Sequence, residues 1–293
     1  MLSDNVTVCL FAWNEEARIL RGIKNFSQFF QVLVVDNYST DRTIEVVEAA
    51  GHRAIKIKNP GFIETPEVMD LVIAACETEY LLIASLSEFV PLALMQKYAD
   101  VANSASHDVV RAYRFSVTAG EYMALAGKPS SRHEGELRFF RKGSVDYTGN
   151  KVHGRGRVTA SSERVLSLVL DEELSFYQFR DYDCSHTEMK HRVYNDTLAR
   201  QLYDQGVRFS WLKMLKSSSR QFISAYLKCG LWRFGMLGFM HAFHRWYMDI
   251  GIWFRVWEWQ NDFYSAEVIR KNNEVRIKME DEIERFLCGS DES

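Results

Sequence analysis

The sequence predicts an α/β fold: a mixed sheet with helices on both faces, followed by a helical C-terminal extension. Three observations carry this. Short apolar runs alternate with helical patterns through the first hundred residues, which implies parallel strands joined by right-handed crossovers. The runs stop abruptly at polar or acidic residues, so those residues collect on one rim of the sheet, where open parallel sheets bind ligands. From about residue 185 onward the pattern is helical only.

Residues 6–13 read as a buried strand, and Glu15 to about Phe26 as a helix that Asn14 is placed to cap. Val32 to Asp36 is the second strand. Ser39 or Thr40 can cap the next helix, which Gly51 ends, and Arg53 to Ile57 is the third strand. Asn59-Pro-Gly breaks the chain, Pro66 suits the first turn of a helix running to Cys76, and Tyr80 to Ala84 is the fourth strand. Pro91 starts a helix to about Asn103. Strand pieces with shorter connections follow at 108–118, 136–141, 145–153 and 164–170, as expected of a mixed or antiparallel extension. Helices are expected over 186–205, 211–227, 232–260 and 265–287. These patterns divide the chain into 1–180 and 181–293.

The totals narrow the classes. A chain of 293 residues with 47% apolar and 26% charged residues can bury a full core and should be globular. Its net charge of -3 gives no support for nucleic-acid binding. Five scattered cysteines without Cys-x-x-Cys spacing point to free thiols in a reducing compartment. No secretory signal and no run of about eighteen uncharged apolar residues is visible, so a cytoplasmic protein is expected, with the inner face of a membrane as the alternative location.

Four constellations carry chemistry. The first is Asn14, Glu15, Asp36, Asn37, Ser39 and Asp41, acceptors at strand ends that suit the base and ribose of a nucleotide or, more simply, cap two helices. The second is Ser85-Leu-Ser-Glu88 at the end of the fourth strand. The third is the basic run from Arg132 to Lys142, including Arg138 and Arg141, followed by Lys151-Val-His-Gly-Arg-Gly-Arg157; it is either a diphosphate contact or a solvated face. The fourth is the aromatic and basic stretch within 222–260, read either as core and subunit contact or as an interfacial helix on an anionic membrane.

Trp13-Asn-Glu-Glu16 together with Val32-Leu-Val-Val-Asp-Asn-Tyr-Ser-Thr-Asp-Arg-Thr43 resembles the opening of family-2 glycosyltransferases, which have the GT-A fold, a Rossmann-like nucleotide-diphosphosugar transferase sheet. Arg138, Arg141, Lys142 and His153 resemble elements of the branch that builds the lipopolysaccharide core, a cell-surface polysaccharide. The resemblance implies an inverting hexosyl transfer from a UDP-sugar to a glycan or lipid-linked acceptor. Asn14, Glu15, Asp36, Asn37 and Ser39 would then hold the nucleoside. Glu88, Arg138, Arg141 and His153 would face the diphosphate, with Ser85 and Ser87 in the same nucleotide-sugar site and Glu134 or Glu136 as base, His153 counting among the catalytic candidates. Three positions depart from the pattern. Ser85 and Ser87 stand where that family carries the aspartates that bind a divalent cation (Mn or Mg), leaving Glu88 as the lone carboxylate, so a weak metal requirement or none is expected. Gly154 replaces an acid, and the segment after Gly61-Phe62 lacks the usual basic-Asn pair. A catalytically inactive relative acting as a binding or scaffold subunit is the competing expectation, and a homo-oligomer or membrane-surface contact is expected through 222–260.

Overall fold

The computed structural model describes residues 2–59, 64–118, 120–123, 135–150, 156–179 and 184–289. In chain order the elements are β1 (Val6–Ala12), α1 (Ile19–Phe26), β2 (Gln31–Asp36), α2 (Thr43–Ala49), β3 (Arg53–Lys56), α3 (Pro66–Ala75), β4 (Tyr80–Ser85), β5 (Glu88–Phe89) and α4 (Leu92–Ser104). There follow β6 (Val109–Ala112), β7 (Arg114–Thr118), β8 (Glu121–Met123), β9 (Glu136–Arg141), β10 (Val145–Asp146), β11 (Arg157–Val158), β12 (Val165–Ser167) and β13 (Phe176–Phe179). The helices α5 (Cys184–Asp204), α6 (Trp211–Ile223), α7 (Gly235–Gln260) and α8 (Ser265–Gly289) complete the chain. The expected α/β sheet with a helical C-terminal part is what forms.

Contacts group the chain into two compact units, Met1–Tyr194 with Ile223–His241, and Asn195–Phe222 with Ala242–Ser293. The first unit holds a seven-stranded sheet in the order β12-β6-β9-β4-β1-β2-β3. β1 pairs in parallel with both β2 and β4, and β3 extends β2 in parallel. β9 runs antiparallel between β4 and β6. Alternation along the strands sorts side chains to two faces. Val6, Val8 and Leu10 face α1 and α4 through Ile23, Phe26, Leu94 and Tyr98. Cys9, Leu33, Val35, Leu81 and Ile83 face α3 through Val68, Met69 and Val72. Both faces are apolar because both are covered by helices.

The single expected strand over 108–118 divides in two. Its first half, β6, stays in the large sheet, whereas β7 joins a second sheet in the order β5-β13-β7-β8. β13 was not expected; it lies in a segment where Phe176 is buried but Tyr177 is only half-buried, too short a pattern to be read as a strand.

The second unit is helical. Asp196 pairs with Arg255 at 2.9 Å, Ser218 donates to Asp249 at 2.8 Å, and Asn195 donates to the Met248 carbonyl at 3.2 Å. Ala199, Met214, Ala242, Trp253 and Val256 are buried within it. Part of the aromatic stretch is therefore core, but Phe243, Tyr247, Phe254 and Trp257 are exposed.

Candidate active site

The chain order creates a crevice at the C-terminal ends of β1 and β4. From β1 the chain proceeds outward to β2 and β3, then crosses back to place β4 on the other side of β1. Such a reversal leaves the loops after β1 and β4 to diverge, which is where open α/β sheets bind ligands. The loop after β1 is 13–18, that after β2 is 37–42, and that after β4 is the Ser85–Ser87 turn.

The β1 and β2 loops are laced together by hydrogen bonds. The Asn14 N–H donates to Ser39 Oγ at 2.8 Å, and the Thr40 N–H donates to Asn14 Oδ1 at 2.8 Å. The Glu15 N–H donates to Thr43 Oγ1 at 2.7 Å, the Glu16 N–H to Asp41 Oδ2 at 3.0 Å, and the Arg42 N–H to Glu16 Oε2 at 2.9 Å. Asn14 and Tyr38 both take the left-handed conformation, with φ of 54° and 57°. This departs from the capping roles expected of Asn14, Ser39 and Thr40. The residues preceding both helices, Arg18 and Arg42, carry no side-chain cap, because the polar side chains that could cap are committed across the gap between loops.

Asp36 is 0% exposed and accepts from both the N–H and the hydroxyl of Ser39. Its carboxylate shapes the β2 loop instead of standing open to a ligand. Asn37 exchanges two bonds of 2.7 Å with the backbone of Asn59, fastening the exit of β3. Glu15 pairs with Arg18. Asp41 would be pushed up by burial, but bonds from the Thr43 hydroxyl and from the Glu16 and Thr43 N–H groups outweigh this and hold its carboxyl below the usual range.

The other side of the crevice is built differently. Ser85 and Ser87 bring their hydroxyls within 3.1 Å of one another, and the Ser85 N–H donates to Glu88 at 3.0 Å. Leu86 between them is seated against α1 at Gly22, where an added Cβ would lie 2.2 Å from the Leu86 side chain. Glu88 is paired with Arg138, and the two side chains are 3% and 4% exposed. Arg138 also lies over the Phe176 ring at 5.2 Å and reaches Glu136 at 3.4 Å. Glu136 in turn pairs with Arg114 at 3.1 Å.

This corrects the reading in which Glu88 and Arg138 face a diphosphate. Each neutralises the other inside the protein, as a buried carboxylate requires. The cause lies in β9. Val110 pairs with Phe139 and Arg111 with Leu137, so Arg138 is an extra residue in the ladder, and such a bulge re-aims a side chain. Arg141 is corrected as well. It lies opposite Tyr80 at the start of β4, on the far edge of the sheet, where it pairs with Glu79 at 2.7 Å. Lys142 donates to the Cys76 carbonyl, and Arg157 pairs with Asp146 at 2.7 Å. Glu134, His153, Lys151, Arg155, Gly154 and Gly61-Phe62 lie outside the described residues.

The donors at the β4 turn do not suit a divalent cation. Two hydroxyls bonded to each other and a carboxylate already satisfied by a guanidinium supply too little charge for a hard ion. Among the described residues no cluster of three His, Cys, Asp or Glu could hold a metal. Asn59 and Arg114 are parts of this rim that sequence reasoning left in the background, and Thr43 entered only as the end of the 32–43 run. The Asp41-Arg-Thr43 spacing was a legible signal of an Asx turn, whereas nothing local marked Asn59 or Arg114.

No family model matches the chain. It is 25% identical over 252 residues to the lipopolysaccharide core biosynthesis glycosyltransferase LpsC of Rhizobium meliloti (strain 1021), covering 80% of this chain and 84% of that protein. The chain is similar to a lipopolysaccharide-core glycosyltransferase. That similarity agrees with the resemblance carried by 13–16 and 32–43. Among solved structures, glucosyl-3-phosphoglycerate synthase from Mycobacterium tuberculosis with Mn2+, UDP-glucose and phosphoglyceric acid matches at 17% identity. The match covers 71% of this chain and 82% of that one with a TM-score of 0.44. The same enzyme with Mn2+, UDP and glucosyl-3-phosphoglycerate matches at 22% identity over 38% of this chain, with a TM-score of 0.31; there the chain spans only 44% of that protein's length.

Proposed function

We propose that the protein is an inverting glycosyltransferase that moves a hexose from a UDP-sugar to a glycan or glycoconjugate acceptor. The observation that carries this reading is the reversal of strand order at β1/β4, with the laced 13–18 and 37–42 loops on one side of it. It has the location and polar lining that a sugar nucleotide needs, and the relative named above is a lipopolysaccharide-core glycosyltransferase.

In this reading the loops present backbone groups and the outer faces of Asn14, Glu15 and Asn37 to the nucleoside, with Asp36 and Ser39 holding the loop in shape. The acceptor hydroxyl attacks the anomeric carbon from the face opposite the leaving diphosphate while a carboxylate takes its proton. Glu136 is held by two arginines, so Glu134 is the first candidate for that base. The Ser85–Ser87 turn is left to meet the diphosphate through hydroxyls, and with no carboxylate pair there, a divalent cation is not required.

The sealing of Glu88 favours a second reading, a sugar-nucleotide-binding subunit without catalysis. Calorimetric titration with UDP, followed by a transfer and hydrolysis assay with UDP-glucose, each with manganese and with chelator, separates the two. Chelator-independent binding with turnover is the expected result. Binding without turnover supports the second reading, and absence of binding would remove both.

A further inference from the structure

The segment Ile223–His241 contains Lys228 and Arg233 and no acidic residue, and it lies in a stretch, from Asp204 to Asp249, that has no acidic residue between its ends, in a chain whose net charge is -3. Within this stretch, Ile223–His241 belongs to the first unit. It forms a corner: a π-helical turn over Ser224–Lys228, left-handed Gly230, a 3-10 turn over Leu231–Phe234, and then the start of α7. Gly238 closes the corner, since a Cβ there would lie 1.8 Å from the Leu231 carbonyl oxygen. Ala225 and Leu231 are its inward anchors.

The outward side is apolar. Leu227 and Met240 are exposed, Trp232 is 53% exposed, and Met236 is 71% exposed. Lys228 and Arg233 stand among them, with the Arg233 guanidinium 5.4 Å from the centre of the Trp232 ring. Large apolar side chains left exposed together on one corner mark a contact surface. The charge pattern selects the partner. A second copy would bring like charge against like, whereas a surface of phosphate groups is complementary. Among the described residues no helix is long and apolar enough to cross a membrane, so a contact of this kind lies in the interface.

We propose that the Ile223–His241 corner seats on an anionic phospholipid bilayer. Leu227, Trp232, Met236 and Met240 enter the headgroup region, and Lys228 and Arg233 meet lipid phosphates. The contact does not depend on the glycosyl-transfer reading.

The test is co-sedimentation of the full chain with vesicles of phosphatidylcholine alone and of phosphatidylcholine mixed with phosphatidylglycerol. The expected result is binding to the anionic vesicles only, reversed by high salt. The K228E/R233E double variant, with an unchanged circular dichroism spectrum, should lose at least about 25-fold in partitioning, from about fivefold per basic residue removed. L227S/M236S should weaken binding at low salt as well. Failure to bind either vesicle, or equal binding to both, would overturn the proposal. So would a concentration-dependent dimer in light scattering that K228E/R233E abolishes, which would give the corner to a second copy. The lipid and salt dependence of the unmodified protein decides the matter even where a variant misfolds.

Discussion

The two walls of the crevice use the same kinds of residue to opposite ends. On the β1/β2 side, Asn14, Glu16, Ser39 and Asp41 are partly open to solvent and, with the buried Thr43, tie the two loops together through backbone bonds. On the β4/β9 side, Glu88 and Arg138 are enclosed and bond to each other. A half-exposed carboxylate that accepts N–H groups at a loop costs little to keep charged. An enclosed one must have a countercharge, and the pair is then spent on the interior. Polar residues at the ends of parallel strands thus mark a rim without saying which of them face the ligand.

The strongest test of this contrast is Arg138→Met. It leaves Glu88 buried without its partner and should lower unfolding stability by about 3–5 kcal/mol, read by urea denaturation. Adding Glu88→Leu should recover most of the loss. A variant of normal stability that binds UDP poorly would mean that Arg138 faces the ligand after all, and the contrast between the walls would collapse.

Next in size is Asp36→Ala, which removes the buried acceptor of the half-buried Ser39 N–H and hydroxyl. It should cost about 1–3 kcal/mol of stability, with any weakening of UDP binding following from the loosened loop. Asp36→Ala that keeps full stability while losing UDP would instead place the carboxylate in direct contact with the nucleoside.

Acid should loosen the first wall. The folded pKa of Asp41 is depressed, so its contribution is fully present above the ordinary carboxylate value of about 3.9 and is lost as the pH falls through the lower folded value. The urea midpoint of the unmodified protein should therefore fall below about pH 4 more steeply than that of Asp41→Asn. Parallel pH profiles would show that Asp41 does not hold the loops.

The smallest effect belongs to Arg141→Ala. Its partner Glu79 is exposed and the pair sits on the far edge of the sheet, so stability should change by about 0–1 kcal/mol and UDP affinity should not change. A clear loss of affinity would return Arg141 to the site.

The sequence by itself determined that the first strands are parallel and that their ends form a polar rim. Strand periodicity, the polar stops at Asn14, Asp36 and Ser85, the chain break at Asn59-Pro and the helix start at Pro91 are local signals, and the first four strands formed where those signals placed them. The absence of an aspartate pair at Ser85 and Ser87 was equally plain. What the tertiary structure decided is where each polar group looks. Asn14 bonds across to Thr40 instead of capping α1 because a second loop lies closer than its own helix. The 108–118 strand breaks between two sheets because β9 takes the place beside β6 and β4. Arg138 turns inward because the β9 ladder carries one residue more than its neighbour. Arg141, three positions along, is carried to the opposite edge by the same strand. Pairing register is a property of two segments far apart in the chain, so no window of sequence around Arg138 contains it.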